Sequence, residues 1–184
     1  MSERICPWYL GYFLASPLRR LMYTPETILE PYLKKGQTVL DIGSAMGFFT
    51  LPMARLVGGE GKVIAVDLQE KMLRSLRRRA EKAGLSERIE TRLCPGSTLG
   101  IDDLAGKVDF ALMVAVLHEM PDIKPPLSEV FNALKPHGFL LIAEPTGHVT
   151  QEKFGEETSI IKGCGFNIIQ TPVIKRSYSI IAQK

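Results

Sequence analysis

At 184 residues the chain is long enough for one domain with a buried core. Its 45% hydrophobic and 23% charged residues are ordinary for a globular protein, and a net charge of +3 is too small to mark a nucleic-acid binder. Cys6, Cys94 and Cys164 are widely spaced and form no CxxC pair. They read as reduced thiols of a cytoplasmic protein, with neither a disulfide frame nor a metal site expected.

The N-terminal stretch ICPWYLGYFLA has the apolar character of a short signal core. Glu3 and Arg4 cancel, however, so the basic lead of a secretory signal is missing. No apolar run reaches the roughly 18 residues of a membrane span. Residues 1–24 are taken as a helical, aromatic segment preceding one main domain over 25–184. With Trp8, Tyr9, Tyr12, Phe13 and Tyr23, this segment reads in four ways. It is an amphipathic helix packed on a sheet edge, a lid over substrate, a homodimer contact, or an interfacial membrane helix with Arg19 and Arg20 at the headgroups.

Thr24-Pro25-Glu26 begins a helix: threonine can cap, proline suits the first helical position, and the acid complements the positive helix end. Gly36 is expected to stop it. Thr38 to Ile42 reads as a buried strand. Phe48 to Leu56 reads as a helix, provided Pro52 sits in its first turn. Lys62 to Asp67 is a second strand. Gln69 to Ala83 is a helix with Met72, Leu76, Ala80 and Ala83 on one face, closed by Gly84. Its arginines, Arg74, Arg77 and Arg78, mix with Glu70 and Glu81, which describes a solvated face rather than an RNA patch.

Arg88 to Leu93 is a third strand. VDFALMVAVL, Val108 to Leu117, is almost wholly apolar, as in a central strand covered on both faces. Pro126 to Leu134 reads as a helix, and Lys135-Pro136-His137-Gly138 as a turn into a strand over Phe139 to Glu144. A helix from about Gln151 to Lys162 follows. Two β-like runs, Phe166 to Ile174 and Ser177 to Ala182, end the chain. Strands alternating with helices imply α/β architecture, a mostly parallel, doubly wound, Rossmann-like sheet with helices on both faces. The last two strands have no helix between them and should pair as an antiparallel hairpin.

In such sheets ligands bind at the carboxyl ends of the strands. The stretch VLDIGSAMGFFT puts Gly43 and Gly47 there, and the next strand ends in Asp67, an acid able to accept hydrogen bonds from both hydroxyls of a ribose. Together they point to a nucleoside-containing cofactor. A dinucleotide fingerprint fails, because Ala45 and Phe48 stand where glycines are required. A phosphate loop fails for want of its lysine. Asp41 beside the loop suits a ligand carrying a cationic amine.

These residues resemble the class I S-adenosylmethionine-dependent methyltransferases, most nearly their small-molecule, quinone-biosynthesis and arsenite type. The motif Asp41-Ile42-Gly43-Ser44-Ala45-Met46-Gly47 carries the likeness, with DFALMVAVLHEMPD, LKPHGFLLIAEP and the order of elements from about Pro25 to Lys184. The resemblance implies seven strands in the order 3-2-1-4-5-7-6, and S-adenosyl-L-methionine as cofactor with S-adenosyl-L-homocysteine as product. It implies that Asp41, Gly43, Ser44, Ala45 and Gly47 line the methionine part, that Asp67 holds the ribose, that Leu68 packs on adenine, and that Val114 lies along the cofactor. Ala45 replaces the usual middle glycine. Pro95 falls where many members carry an acid, so the amides of Gly96 and Ser97 are expected to meet the adenine ring.

Methyl transfer from a sulfonium is an in-line displacement, in which most of the gain is orientation. A base is needed only where the nucleophile holds its proton. The candidates are His118 in VLHEMPD and Glu144 at the end of the fifth strand. Glu119 reads as a solvated loop acid, His148 as a surface histidine, and His137 as inert. The expected acceptor is a small molecule, with no nucleic acid, because no nucleic-acid module or asparagine-proline-proline-aromatic signature is present. An RNA or protein methyltransferase working with a partner, and a non-catalytic cofactor-binding regulatory module, stay open as alternatives.

Overall fold

The computed structural model describes residues 24–96 and 98–184. The four readings of the N-terminal segment, and Ser97 as an adenine contact, lie outside the described residues. Up to Gly100 the described residues form one compact unit, and Ile101–Lys184 form another.

The first unit carries three parallel strands, β1 (Thr38–Ile42), β2 (Lys62–Asp67) and β3 (Ile89–Leu93). In β1 and β2 all but the first residue are buried, as their apolar runs require. Helix α1 (Pro25–Leu29) starts at Pro25 as expected but ends well before Gly36, giving way to turns. Helix α2 (Thr50–Leu56) begins two residues later than the sequence suggests. Pro52 then sits in its first turn, where a missing N–H costs no hydrogen bond. Helix α3 (Glu70–Lys82) buries Met72, Leu73, Leu76 and Ala80. Leu73 thus joins the expected face, while Ala83 is the C-cap.

The second unit pairs β4 (Val108–Val114) in parallel with β5 (Leu134–Pro145). Helix α4 (Lys124–Ala133) starts two residues before the expected Pro126 and keeps both prolines in its first turn. The expected turn at Lys135–Gly138 proves to be a bulge inside one 12-residue strand. Leu134 pairs with Val108 and Phe139 with Phe110, so these four residues stand opposite Asp109 alone. Lys135 Nζ spans the bulge to Asp109 Oδ1 at 2.7 Å. After helix α5 (Gln151–Gly163), β6 (Asn167–Gln170) and β7 (Ser177–Gln183) form the expected hairpin, and β7 is antiparallel to both β5 and β6. The strand order is β3-β2-β1-β4-β5-β7-β6, the order implied by the resemblance. Among the described residues no helix is long and apolar enough to cross a membrane.

Candidate active site

The glycine loop leaves the end of β1. The amides of Gly43 and Ser44 both donate to the Val66 carbonyl, at 2.9 and 3.1 Å, and Gly47 donates to Ser44 O at 2.9 Å. Three loop residues adopt left-handed backbone: Gly43 (φ 71°), Ala45 (φ 46°) and Gly47 (φ 84°). At Gly47 the need for glycine is double. Its φ disfavours any side chain, and a Cβ there would stand 2.3 Å from Leu76 Cδ1 of α3. Gly47 therefore seats the loop on the α3 core, a packing role that reading it only as a bare surface for a ligand does not supply.

Asp67, at the end of β2, fastens the other side. Its Oδ2 accepts from the Ala45 amide and its Oδ1 from the Gln69 amide, both at 2.8 Å. Burial raises its carboxyl pKa above the ordinary value, an effect the amides of Gln69, Ala45 and Leu68 only partly offset. Asp41 is 3% exposed, and its Oδ2 accepts from Thr50 Oγ1 at 2.5 Å, tying the end of β1 to the start of α2. Ser44 is buried, and its Oγ has no hydrogen-bond partner among the described residues, an unusual state for a hydroxyl inside a protein. Leu68 is 42% exposed although apolar, and a Cβ on Gly96 would lie 3.2 Å from its Cδ1.

Sequence reasoning passed over Arg79 and Thr50. The Arg79 Nη1 donates to the Met46 carbonyl, clamping the loop from α3. Its signal was its place at the flank of the buried α3 face, between Leu76 and Ala80.

In the second unit the predicted residues His118 and Glu144 come together. The backbone reverses beyond Val114, which ends β4 partly exposed, with Ala115 in left-handed geometry (φ 57°) and its amide bonded to Ala143 O at 2.8 Å. The amides of Val116 and Leu117 then both donate to Glu144 Oε1 at 3.0 Å. Glu144 Oε2 meets His118 Nδ1 in a short hydrogen bond. Glu144 is 0% exposed, so it supports His118 from within instead of facing solvent. The other His118 nitrogen, Nε2, lies 3.3 Å from His148 Nδ1, and the rings meet edge to face at 88°.

Burial alone would lower the His118 pKa. The Glu144 hydrogen bond and charge, with the charges of Glu119 and Glu157, outweigh it and raise the value above 6.5. Glu157, on α5, is the acid the sequence reading missed. It is 1% exposed, and its Oε2 has no hydrogen-bond partner among the described residues. Burial and then the Glu144 charge push its carboxyl up to about 7, against the pull of Lys153 and His118. A signal existed: Phe154, Glu157 and Ile161 make one buried helical stripe, with an acid at a core position. His137 sits in the β5 bulge with φ 64°. Among the described residues no three histidine, cysteine or acidic side chains converge as a metal-ligand set.

A sheet of this order, with a left-handed glycine loop after β1 and an acid closing β2, defines the Rossmann-like class of methyltransferase fold. The chain belongs to the methyltransferase-domain family, whose model matches residues 33–176. It is 31% identical over 112 residues to the ubiquinone/menaquinone biosynthesis C-methyltransferase UbiE of Escherichia coli, a match spanning 61% of this chain and 44% of that protein. The match thus covers less than half of that relative. A SAM-dependent methyltransferase from Aquifex aeolicus superposes with a TM-score of 0.87 at 26% identity, covering 97% of this chain and 99% of that one. A SAM-dependent O-methyltransferase from Thermotoga maritima shares the fold, with a TM-score of 0.66 at 20% identity, covering 100% of this chain and 67% of that one.

Proposed function

We propose that this chain is a methyltransferase that uses S-adenosyl-L-methionine and methylates a small molecule. The observation that carries the reading is the loop of Gly43 to Gly47 hung from the Asp67 carboxylate. The residues present fit the cofactor. Ser44 Oγ is a buried hydroxyl with no hydrogen-bond partner among the described residues, a donor and acceptor open to pairing with a ligand. The Asp67 carboxylate takes the Ala45 amide on one oxygen and the Gln69 amide on the other, and its two oxygens offer about four acceptor positions, which leaves capacity for a ribose hydroxyl. Leu68, exposed beside Gly96, offers an apolar face to adenine. Asp41 supplies negative charge suited to an amine. When bound, S-adenosylmethionine supplies a methyl group already activated on a sulfonium centre.

The protein's own task is to hold the acceptor in line and to manage its proton. The Glu144–His118 pair is the proton-handling element: a buried carboxylate fixes one ring nitrogen and favours charge on the imidazole. A small acceptor is supported by the relatives named for ubiquinone and menaquinone biosynthesis, and a hydroxylated aromatic suits a base of this kind.

The test is a titration of S-adenosylhomocysteine against wild type and Asp67→Ala, read as a melting-temperature shift. A ligand that binds only the native state stabilises it as RT ln(1 + [L]/Kd). Wild type should bind this ligand and not a nicotinamide dinucleotide, and Asp67→Ala should bind far more weakly. Failure of wild type to bind S-adenosylhomocysteine would remove the reading.

A further inference from the structure

We propose that the atom taking the acceptor's proton is Nε2 of His148, and that His118 and Glu144 are positioning residues behind it. The inference rests on the methyltransferase reading for the identity of the acceptor, but its geometry stands apart from that reading.

The argument is a count of hydrogen-bonding atoms. Glu144 Oε1 is occupied by the Val116 and Leu117 amides, and Oε2 by His118 Nδ1. A carboxylate only accepts, so His118 Nδ1 must carry a proton. In neutral His118 the lone pair is then on Nε2. That atom lies 3.3 Å from His148 Nδ1, so His148 Nδ1 must donate to it. His148 in turn is left with a bare lone pair on Nε2. His118 has both ring nitrogens engaged inside the protein, while His148 is exposed and its Nε2 has no hydrogen-bond partner among the described residues. The loop histidine, not the half-buried one, therefore presents the base. A free imidazole prefers the other tautomer, with its proton on Nε2, so the arrangement is imposed by the chain of contacts.

The step balances without any further reactant. The acceptor's O–H bond breaks heterolytically, its electron pair stays on the acceptor, and the proton bonds to His148 Nε2. His148 passes its Nδ1 proton to His118 Nε2. His148 ends neutral, and the positive charge rests on His118 against the Glu144 carboxylate. The carboxylates of Glu119 and Glu157 favour the charge at that position, and burial opposes it. At low pH the cluster is already protonated: His118 Nε2–H then points at His148 Nδ1, Nε2 of His148 carries a proton, and the base is off. Activity should thus rise with pH through a value above 6.5.

The experiment is long-range 1H–15N NMR of the histidine rings on the full chain without ligand, recorded at a pH high enough that the ring signals no longer move with pH. The chain contains only His118, His137 and His148, which makes assignment by single substitution direct. Wild type should show His118 and His148 both as Nδ1–H tautomers. His118→Gln should return His148 to the Nε2–H form, with the His137 signal unchanged as a check on the fold. An Nε2–H tautomer for His148 in wild type overturns the inference, and that result needs no variant to fold. Methyl transfer to a dihydroxynaphthalene probe supplies a functional arm. His148→Ala should lower kcat roughly 100-fold, within the range for loss of a general base, with S-adenosylhomocysteine affinity unchanged. An unchanged kcat overturns the inference. If wild type binds S-adenosylhomocysteine but His148 has the wrong tautomer, this inference falls and the methyltransferase reading stands. If the tautomers are as expected and the ligand does not bind, the reading falls and takes the acceptor step with it.

Discussion

The glycine loop and the histidine chain are built from different materials. The loop is held by main-chain amides on Val66 and Asp67, by the Arg79 clamp, and by Gly47 seated on Leu76. The histidine chain is held by side-chain contacts, Glu144 to His118 and His118 to His148, with Glu157 close enough to feel the charges of Glu144 and His118. The amides do not titrate, but the Asp67 carboxyl that accepts from Ala45 does, and burial raises its pKa above the ordinary value; the loop should keep one shape wherever Asp67 is ionised. In the side-chain cluster, burial pushes the Glu157 carboxyl up to about 7 and, against burial, the Glu144 contact holds His118 above its ordinary value, so this part of the molecule responds to pH.

Four substitutions test this contrast, in descending order of expected effect. Asp67→Ala removes an acceptor from the Ala45 and Gln69 amides as well as the group assigned to the ribose. Hydrogen bonds to a charged group are each worth about 1.5–3 kcal/mol, so S-adenosylhomocysteine affinity should fall roughly 100-fold or more by calorimetry, while the His118 and His148 ring signals stay put. A shift of those signals would show that the two constructions are not separate.

Gly47→Ala forces a left-handed alanine and drives its Cβ to 2.3 Å from Leu76 Cδ1. Strain and overpacking together should cost about 2–3 kcal/mol in urea denaturation. A neutral result would mean that the loop is not pinned to α3.

Glu157→Gln tests the titrating side. Folding raises the Glu157 pKa from 4.5 to about 7. A group whose pKa is raised on folding contributes stability fully only below its unfolded value, and loses it as pH climbs through the folded one. Wild type should therefore lose stability between those values. The glutamine variant should lack that loss and be more stable than wild type by on the order of 2 kcal/mol at about pH 8, with the gap closing in acid. A pH-independent difference between the two proteins would contradict the assigned pKa.

Thr150→Ala is the mildest. Thr150 caps α5 by accepting from the Lys153 amide at 3.2 Å. Its loss should cost about 1 kcal/mol in thermal unfolding. Because α5 carries Glu157, the Glu157 titration should keep its midpoint if the cap matters only to the helix end.

The two constructions differ equally in how legible they were. The loop is local in sequence: nine residues separate Asp41 from Thr50, and strand periodicity puts Asp67 at the tip of β2. An apolar run that ends in an acid and a glycine has few other meanings, so its ligand class could be read directly. Arg79 was harder, because its contact with Met46 spans 33 residues. His118, Glu144 and His148 were each noticed, but singly. Separations of 26 positions from His118 to Glu144 and 30 from His118 to His148 say nothing of contact until β5 lies beside β4. Glu144 was a candidate at the end of the fifth strand, and pairing of β5 on both sides leaves it 0% exposed.

The Lys135–Gly138 stretch shows the same division. Proline and glycine signalled a break, and only the pairing of β4 with β5 decided that it is a bulge within one strand and not a turn before another. By itself, the sequence determined the alternation of elements, the α/β class, the glycine loop and the acid at the end of β2. Those depend on apolar periodicity and on backbone conformations that few residues tolerate. Tertiary structure decided which acid orients a histidine, which histidine presents a bare nitrogen, and which carboxyl is buried without a partner. Those properties arise only when strands far apart in the chain bring polar groups together out of water.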